Sequence, residues 1–418
     1  MGWSSLQALC GLAAGLLVGA KLGLGPAMGA VAQRLIGVYE VGAPVLIFAI
    51  LAPSMLKLLR HDRGDLRRFT IHAIAWFSAL RLAVIVVATL AVALLYRLPL
   101  TEPVGMAWNI PSFAGNRYFL TLAAACLTAW FLRKRSGWAV GLFMRLPDFV
   151  EAAGNLLTRL TPLFGFLVGV YIVSLPHMLA SAVNRIPGAA LHAVTFRWFS
   201  IGAGDPMTVY LLVTAITAFL CLGLHAGLVA WARLTLPAFS IRGYLSGYLL
   251  RVYPLIWSTG AEALAIPANL AILRRYGGGV PDALRDLTAG LAATLNLNGT
   301  LICCLVLLPA VCMAIGHPLS VVALLTCLPL IFVLGYAIPG IPGELAIFAD
   351  PLAQALGISG AERDLFLLLF LSWQIGLTDS FRSAGSATDA VPVTLLLTHA
   401  YRFGSPLDSA SRTPQSRP

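Results

Sequence analysis

An arginine stands inside an apolar stretch near the end of the chain, where a charged side chain is costly. Arg382 follows Asp379 by three residues, so a helix places both side chains on one face. A guanidinium in such a place needs a partner, and its planar fork fits a carboxylate in two-point contact. Either Arg382 binds a substrate carboxylate while Asp379 takes a substrate ammonium, or the two form a self-contained ion pair between helices. Two interrupted helical segments directed at the same region favour the binding role.

A second polar cluster interrupts another apolar block. Its side chains are Thr294, Asn296, Asn298 and Thr300, with Gly299 among them. Glycine lets the backbone unwind, and the freed carbonyl oxygens, together with the amide side chains, then suit a small cation. Asp389, beyond Arg382 on the same predicted helix, is a further cation ligand or arginine partner. We predict a cation site with sodium as one candidate ion, held by Asn296, Asn298 and Asp389. The alternative is a hydrogen-bonding patch between helices.

Two glutamates occupy the centres of Pro- and Gly-rich segments. Glu262 lies between Pro254 and Pro267, and Glu344 follows a run of two Pro-Gly pairs. Burial makes a carboxyl group a proton carrier near neutral pH, so either residue could couple proton movement to transport. The alternative, which we expect for both, is a solvated carboxylate or a cap on a short helix.

The segments that contain these glutamates cannot be smooth spanning helices, because each is broken by Pro and Gly. The segment near 248–273 has basic residues on both flanks, so both flanks belong on the cytoplasmic side and the segment is predicted to be a re-entrant helical hairpin. The segment near 318–357 repeats the design and enters from the outside. Each hairpin precedes a long span broken by polar residues, a pattern typical of inverted repeats with a binding site at the midplane.

Composition places the whole chain in a bilayer. Of its 418 residues, 59% are hydrophobic and 11% are charged, against roughly 25% charged in soluble domains. Eight apolar blocks reach toward the ~20 residues that a spanning helix needs; they lie near 5–24, 37–58, 71–96, 118–132, 149–175, 206–232, 284–314 and 364–400. We therefore predict an all-α polytopic membrane protein with eight transmembrane helices, two re-entrant helical hairpins and inverted repeats.

Charge distribution orients this protein. Basic residues crowd into alternate loops, such as 57–68 and 133–145, while the intervening loops carry few. This positive-inside pattern predicts cytoplasmic N- and C-termini in the cell inner (plasma) membrane. The net charge of +11 does not indicate nucleic-acid binding, because no contiguous soluble basic face exists. The seven cysteines lie in apolar segments as core residues, and no nucleophile–base pair or metal cluster indicates an enzyme or a cofactor other than Na⁺ or H⁺.

The ordered set of motifs resembles the dicarboxylate/amino acid:cation symporters, the glutamate transporter family. The run from Asn296 to Thr300 is similar to that family's Asn-Met-Asp-Gly-Thr motif, and Asp379-x-x-Arg382 is similar to the Asp-x-x-Arg of its last span. Ser258 to Pro267 resembles the tip of its first hairpin, and Ile338 to Gly343 the tip of its second. The segment from Phe149 to Pro162 resembles its fifth span.

This resemblance implies an elevator-type homotrimer. Scaffold segments would be 1–70 (spans 1 and 2) and 97–205 (spans 4 and 5). The transport domain would comprise 71–96 (span 3) and 206–402 (span 6, both hairpins, spans 7 and 8), with 403–418 a disordered cytoplasmic tail. Arg382 would bind the substrate's carboxylate and Asp379 its amino group. The implied substrate contacts also include Ser383, Ser386, Thr300, Ser258, Thr259, Ile341 and Gly343, and the implied coupling residues are Asn296, Asn298, Thr294, Asp389 and Glu262.

Departures from the family pattern affect the coupling ion. The family's sodium-binding aspartate in span 7 is Asn298 here, its second falls on Ala390, and its substrate-binding asparagine falls on Ser386. Two lost carboxylates remove charge that would offset sodium dehydration, so proton coupling through Glu262, Asp379 or Asp389 is an equal alternative. We expect a cation-coupled symporter of acidic amino acids or C4-dicarboxylates. The alternatives are a proton-coupled carrier of another small carboxylate or of a neutral amino acid, and an anion channel on the same fold.

Overall fold

The structure is a computed structural model. It describes residues 2–22, 45, 48–49, 52–53, 56, 60, 64–100, 117–146, 161–188, 190–260, 262–276, 288, 292, 295–317, 319–336 and 343–404. Several predictions lie largely or wholly outside these residues. They are those for Thr294, Ile341, the 37–58 block as a continuous helix, most of the second hairpin tip and the 403–418 tail.

Helices make up nearly all of the described chain. In the first half they are α1 (Gly2–Leu22), α2 (Gly64–Leu95), α3 (Arg117–Leu132), the short α4 (Trp138–Met144), α5 (Thr161–Val183) and α6 (Pro206–Thr235). Helix α5 continues beyond the predicted end of its block at 175, and Pro176 lies inside it. A proline is tolerated there because neighbouring groups in a membrane bundle can satisfy the freed backbone carbonyl.

The second half is built from shorter helices. They are α7 (Ile241–Tyr244), α8 (Leu250–Thr259), α9 (Ile266–Tyr276), α10 (Asn298–Ala314), α11 (Val321–Leu334), α12 (Ala346–Ala355), α13 (Gly360–Gln374) and α14 (Leu377–Gly404). A π-helical turn, Leu245–Leu249, joins α7 to α8, and a 3₁₀ turn, Glu262–Ala265, precedes α9.

Two described helical stretches, Ile71–Leu95 and Pro206–Thr235, are long and apolar enough to cross a bilayer, and a bent pair, Gly360–Gln374 with Leu377–Tyr401, adds a third if it counts as one span. The mostly helical architecture with apolar helices is thus confirmed, and the count of eight spans stays a prediction.

The structure corrects the all-α expectation at one point. Val194–Thr195 and Ser200–Ile201 pair as a small antiparallel ladder, closed by a hydrogen bond from Phe196 N to Phe199 O.

Helices α1 and α5 approach each other closely through glycines. Gly11, Gly15 and Gly19 recur every fourth residue of α1, which places them on one face. A Cβ built on Gly15 would lie 2.1 Å from Phe166 O, and one on Gly169 of α5 would lie 2.4 Å from Leu12 O. The small-xxx-small pattern therefore sets the distance between these two helices.

The first interrupted segment folds back on itself as a helical hairpin. Its arms are Ile241–Thr259 and Glu262–Tyr276, and α8 ends at Gly260 with a left-handed backbone, φ 64°. Tyr276 Oη donates to Ser240 O across the base, and Tyr248 Oη donates to Asn269 Oδ1 halfway along. The arms thus run antiparallel, as the sequence predicted.

Helix α10 forms the centre of the protein. It is apolar on every face, and nearly all of its side chains are buried, as expected for a helix surrounded by others. It packs against α2, α6, α13 and α14. The chain just before α10, at Asn296 and Leu297, is not helical, so the predicted interruption of this span is confirmed.

The last span is also interrupted, but at a different place from the one predicted. The polar run Asp379 to Asp389 was expected to break the helix, whereas it lies within the continuous helix α14. The bend of 62° falls between α13 and α14, at Ile375 and Gly376, where Gly376 adopts φ 81°. The polar side chains need no backbone break because they bind one another and the groups that α14 packs against.

Candidate substrate and ion site

Arg382 is fully buried at the point where α14 meets the first hairpin, α10 and the turn before α12. Its Nε and Nη2 donate to Asp379 Oδ1 at 2.9 and 2.7 Å, one helical turn away. Nη2 also donates to Ser383 Oγ at 2.7 Å. One edge of the guanidinium is therefore satisfied within α14 itself, as the three-residue spacing predicted.

The Nη1 group of Arg382 faces other elements of the fold. It donates to Thr300 Oγ1 of α10 at 2.8 Å and to Glu262 Oε1 of the first hairpin at 3.2 Å. It also donates to Glu344 Oε1, just before α12. Thr300 Oγ1 in turn donates to Glu344 Oε1 at 2.5 Å. One guanidinium nitrogen thus joins three separate segments of the chain.

Of the two outcomes expected for Glu262 and Glu344, a solvated carboxylate or a cap on a short helix, the first is wrong. Each is only 4% exposed, and both carboxylates point inward to Arg382 rather than outward to water. The physical reason is the guanidinium itself: a buried cation stabilises carboxylates that would otherwise have to remain in water. Glu262 and Glu344 lie 120 and 38 residues from Arg382 along the chain, so local patterns in the sequence could not predict this convergence.

Three carboxyl groups, those of Asp379, Glu262 and Glu344, share the one guanidinium of Arg382. If all three were ionised, the cluster would carry two negative charges in excess. Excess charge in a buried site is costly, so protons or other cations at these carboxyl groups would stabilise the cluster.

A network of amide side chains adjoins the cluster. Asn296 Nδ2 donates to Ser386 O at 3.1 Å, and Asn298 Nδ2 donates to Asn296 Oδ1 at 3.0 Å. The backbone N–H of Gly299 donates to Ser386 Oγ at 3.0 Å. These contacts hold the non-helical entrance of α10 against α14. They also place the predicted cation residues Asn296 and Asn298 side by side.

Asp389 is buried near the entrance of α10. Its principal partner is a histidine for which the sequence analysis predicted no role. His225 Nδ1 of α6 lies 2.8 Å from Asp389 Oδ1. The other ring nitrogen, Nε2, lies 3.4 Å from Tyr244 Oη. The sequence signal that could have identified His225 is its position within a long apolar helix, where an ionisable residue is expensive.

A second buried arginine was also missed. Arg81 of α2 donates Nη2 to Leu295 O at 2.8 Å, next to the interruption before α10. Its guanidinium carbon lies 3.9 Å from the ring centroid of Tyr336, the residue that follows α11 by two positions. Among the described residues, Nη1 of Arg81 has no hydrogen-bond acceptor. As with His225, the signal was an ionisable residue in the middle of an apolar block.

Other predicted site residues do not reach the guanidinium through the described contacts. Ser258 Oγ donates to Leu255 O within its own helix, at 2.9 Å. Thr259 ends α8, and its side chain, like Thr294 and Ile341, lies outside the described set. Gly343 directly precedes Glu344 and adopts φ 76°. No cluster of three or more metal-ligating side chains was found in the described part of the chain.

A helical hairpin, an interruption at the entrance of α10, a bend before α14 and a buried arginine where they meet are features of a membrane transporter that binds its solute where broken helices come together. The comparison with known families agrees. The chain belongs to the sodium:dicarboxylate symporter family, whose model matches residues 189–400. Membership implies cation-coupled symport of dicarboxylates or amino acids rather than enzymatic activity. No curated protein matches the chain.

Proposed function

We propose that the protein is a proton-coupled secondary transporter of a small dicarboxylate or acidic amino acid. The observation that carries this proposal is the buried cluster in which three carboxyl groups share Arg382. Membership of the sodium:dicarboxylate symporter family supports a carrier. The three carboxyl groups of the cluster support protons as the coupling ion.

Arg382 is the substrate-binding cation in this proposal. Its planar fork suits a carboxylate, and its Nη1 group faces both hairpins and α10, where a solute held between them would meet it. Asp379 offers an acceptor for the ammonium of an amino acid, and Thr300 offers a hydroxyl donor. A C4-dicarboxylate would use the guanidinium and the hydroxyl without needing the ammonium acceptor.

Protons would neutralise part of the negative charge that the substrate adds to the buried cluster. A dianion that enters a cluster with an excess of two negative charges would raise that excess to four. Buried charge of this size is prohibitive without compensating cations. Protons on Glu262, Glu344 and Asp379 would reduce that excess from four negative charges to one, so substrate and protons would enter together.

Sodium has weaker support. A sodium site needs several oxygens turned toward one point, whereas Asn296 Oδ1 and Ser386 O already accept hydrogen bonds from amide groups. The carboxylate of Asp389 is paired with His225. The polar network at the entrance of α10 is therefore closed by hydrogen bonds within the protein.

The proposed cycle follows the family's elevator mechanism. A transport domain made of α2, α6, both hairpins, α10, α13 and α14 would carry the loaded site across the bilayer past a trimeric scaffold. Contacts of Arg81 with Leu295 O, and of Tyr96 Oη with Val306 O at 3.0 Å, support the assignment of α2 to the moving part, since they tie it to the segment around α10.

Uptake by proteoliposomes tests the proposal. Purified protein is reconstituted, and accumulation of labelled succinate or L-aspartate is measured with an inward proton gradient, an inward sodium gradient, or neither. We expect saturable accumulation driven by the proton gradient and abolished in Arg382→Ala. Accumulation driven by sodium at equal internal and external pH would refute proton coupling, and current without accumulation would identify a channel.

A further inference from the structure

Arg382 contacts not only its helical neighbour Asp379 but also Glu344, which lies on a separate segment of the chain. The Glu344 carboxylate is fully buried and accepts from two donors at once, Arg382 Nη1 and Thr300 Oγ1. A guanidinium N–H and a hydroxyl directed at one carboxylate form a complete carboxylate-binding pair. The carboxylate they hold belongs to the protein itself.

We propose that Glu344 is an internal ligand of Arg382 that competes with the carboxylate of the transported solute. This inference rests on the proposed role of Arg382 as the substrate-binding residue and adds to it the group that the substrate must displace. Glu344 thereby sets the affinity of the site for carboxylates.

The donor count of Arg382 supports competition rather than simultaneous binding. Nη1 carries two hydrogens, and three acceptors already lie within 3.2 Å of it: Thr300, Glu262 and Glu344. The Nε and Nη2 edge is occupied by Asp379 and Ser383. A substrate carboxylate therefore gains a place on the guanidinium only when one present acceptor leaves it.

Glu344 is better suited to leave than the other two carboxylates. Asp379 is fixed to Arg382 by helical spacing within α14. Glu262 begins the 3₁₀ turn Glu262–Ala265, which leads directly into α9, so its withdrawal would disturb helical backbone. Glu344 lies in a turn between Gly343 and α12, closed by a bond from Ala346 N to Gly343 O at 3.1 Å. Rotation within that turn can withdraw the side chain without breaking a helix.

The internal ligand also has a consequence for the transport cycle. Nη1 of Arg382 is buried, and a buried donor without an acceptor is costly. With Glu344 in place, Nη1 keeps its carboxylate acceptor while the carrier returns without substrate. Glu344 would thus permit net uptake as well as exchange of internal for external solute.

Binding measurements on purified protein test the inference with two probes, succinate and L-aspartate, in wild type, Glu344→Gln and Glu344→Asp. Removing the competing charge should tighten binding of the effective probe by about tenfold or more, since hydrogen bonds to charged groups are the strong ones. Glu344→Asp, which keeps the charge, should bind more nearly like wild type. Glu362→Gln is the matched control, because Glu362 is a solvent-exposed glutamate of α13, and its affinity should equal that of wild type. Unchanged or weaker binding in Glu344→Gln would overturn the inference.

A second measurement tests the role of Glu344 even if neither probe binds. Absence of binding by both probes would count against the proposed substrate class. Ala346→Cys places a thiol two residues from Glu344, and its alkylation rate is followed by mass spectrometry of the peptide that contains it. Loss of the Glu344–Arg382 contact should accelerate alkylation severalfold in both Glu344→Gln and Arg382→Ala. Equal rates in these variants and in the Ala346→Cys parent would show that Glu344 does not hold this segment at Arg382, and would overturn the inference independently of any substrate.

Discussion

His225 Nδ1 and Asp389 Oδ1 lie 2.8 Å apart and join α6 to α14 inside the apolar core of the protein. Neither side chain is more than a few per cent exposed, so the pair is shielded from water and from salt. Tyr244, whose Oη lies 3.4 Å from His225 Nε2, extends it toward the first hairpin. The pair and Tyr244 therefore connect α6, α14 and the first hairpin.

Replacement of His225 by alanine should destabilise the protein. Asp389 would lose its closest partner while remaining buried, and a buried polar group left without its partner costs about 1–3 kcal/mol, or more when it is charged. Thermal unfolding in detergent would report the loss as a lower apparent melting temperature. His317→Ala is the matched control: His317 lies 3.8 Å from the exposed Glu362, and its removal should change stability little. If both variants melt alike, the His225–Asp389 contact contributes no stability.

Much of the membrane architecture could be predicted from the sequence because it depends on local composition. The apolar blocks, the two interrupted segments and the Asp379–Arg382 spacing each need only a short window of residues. The convergence of Glu262, Glu344 and Thr300 on Arg382 could not be predicted in the same way. It joins residues 38 to 120 positions from Arg382, and only the packing of the hairpins against α14 brings them together. The predicted position of the last bend was wrong for a related reason. The polar residues of α14 suggested a break in the helix, but tertiary hydrogen bonds satisfy these residues within a continuous helix.

Substitution of Gly299 by alanine should disrupt the entrance of α10. A Cβ at this position would lie 2.3 Å from Arg382 O and 3.0 Å from Ser386 Oγ, and the nearer atom is backbone that cannot rotate away. We expect α10 and α14 to separate, the Gly299 N to Ser386 Oγ bond to be lost, and transport to fall by at least an order of magnitude, since small displacements at a binding site are costly.

The control for this change is Gly227→Ala in α6. A Cβ on Gly227 has no neighbour within 4 Å, and alanine is the better helix former by about 1 kcal/mol. Uptake by Gly227→Ala should equal that of wild type, with equal or higher thermal stability. Full transport by Gly299→Ala would contradict the close contact between α10 and α14.

Helix α1 should tolerate no enlargement on its glycine face. Gly15→Leu would place its Cβ 2.1 Å from Phe166 O, so α1 and α5 would have to move apart. Because the contact between these helices depends on close backbone approach, we expect lower yield of folded protein and earlier melting. Leu17→Ala, at a position on α1 that is 65% exposed, should have little effect. Equal melting of the two variants would mean that the α1–α5 contact is not needed for folding.

Arg382→Lys should abolish carboxylate binding even though it keeps the positive charge. Lysine has one ammonium group where arginine has a rigid fork with five donors, and Arg382 uses separate edges of that fork for Asp379 and for Thr300, Glu262 and Glu344. An ammonium cannot serve both edges, so we expect probe affinity to fall by a hundredfold or more.

Arg363→Lys provides the comparison. Arg363 also binds a carboxylate through Nε and Nη2, that of Asp350 at 2.9 and 2.6 Å, but both side chains are more than 40% exposed, and solvent screening keeps such pairs weak. Isothermal titration of both variants with succinate and L-aspartate separates the two cases. Near-normal affinity in Arg382→Lys would show that charge alone, and not the geometry of the guanidinium, recognises the substrate.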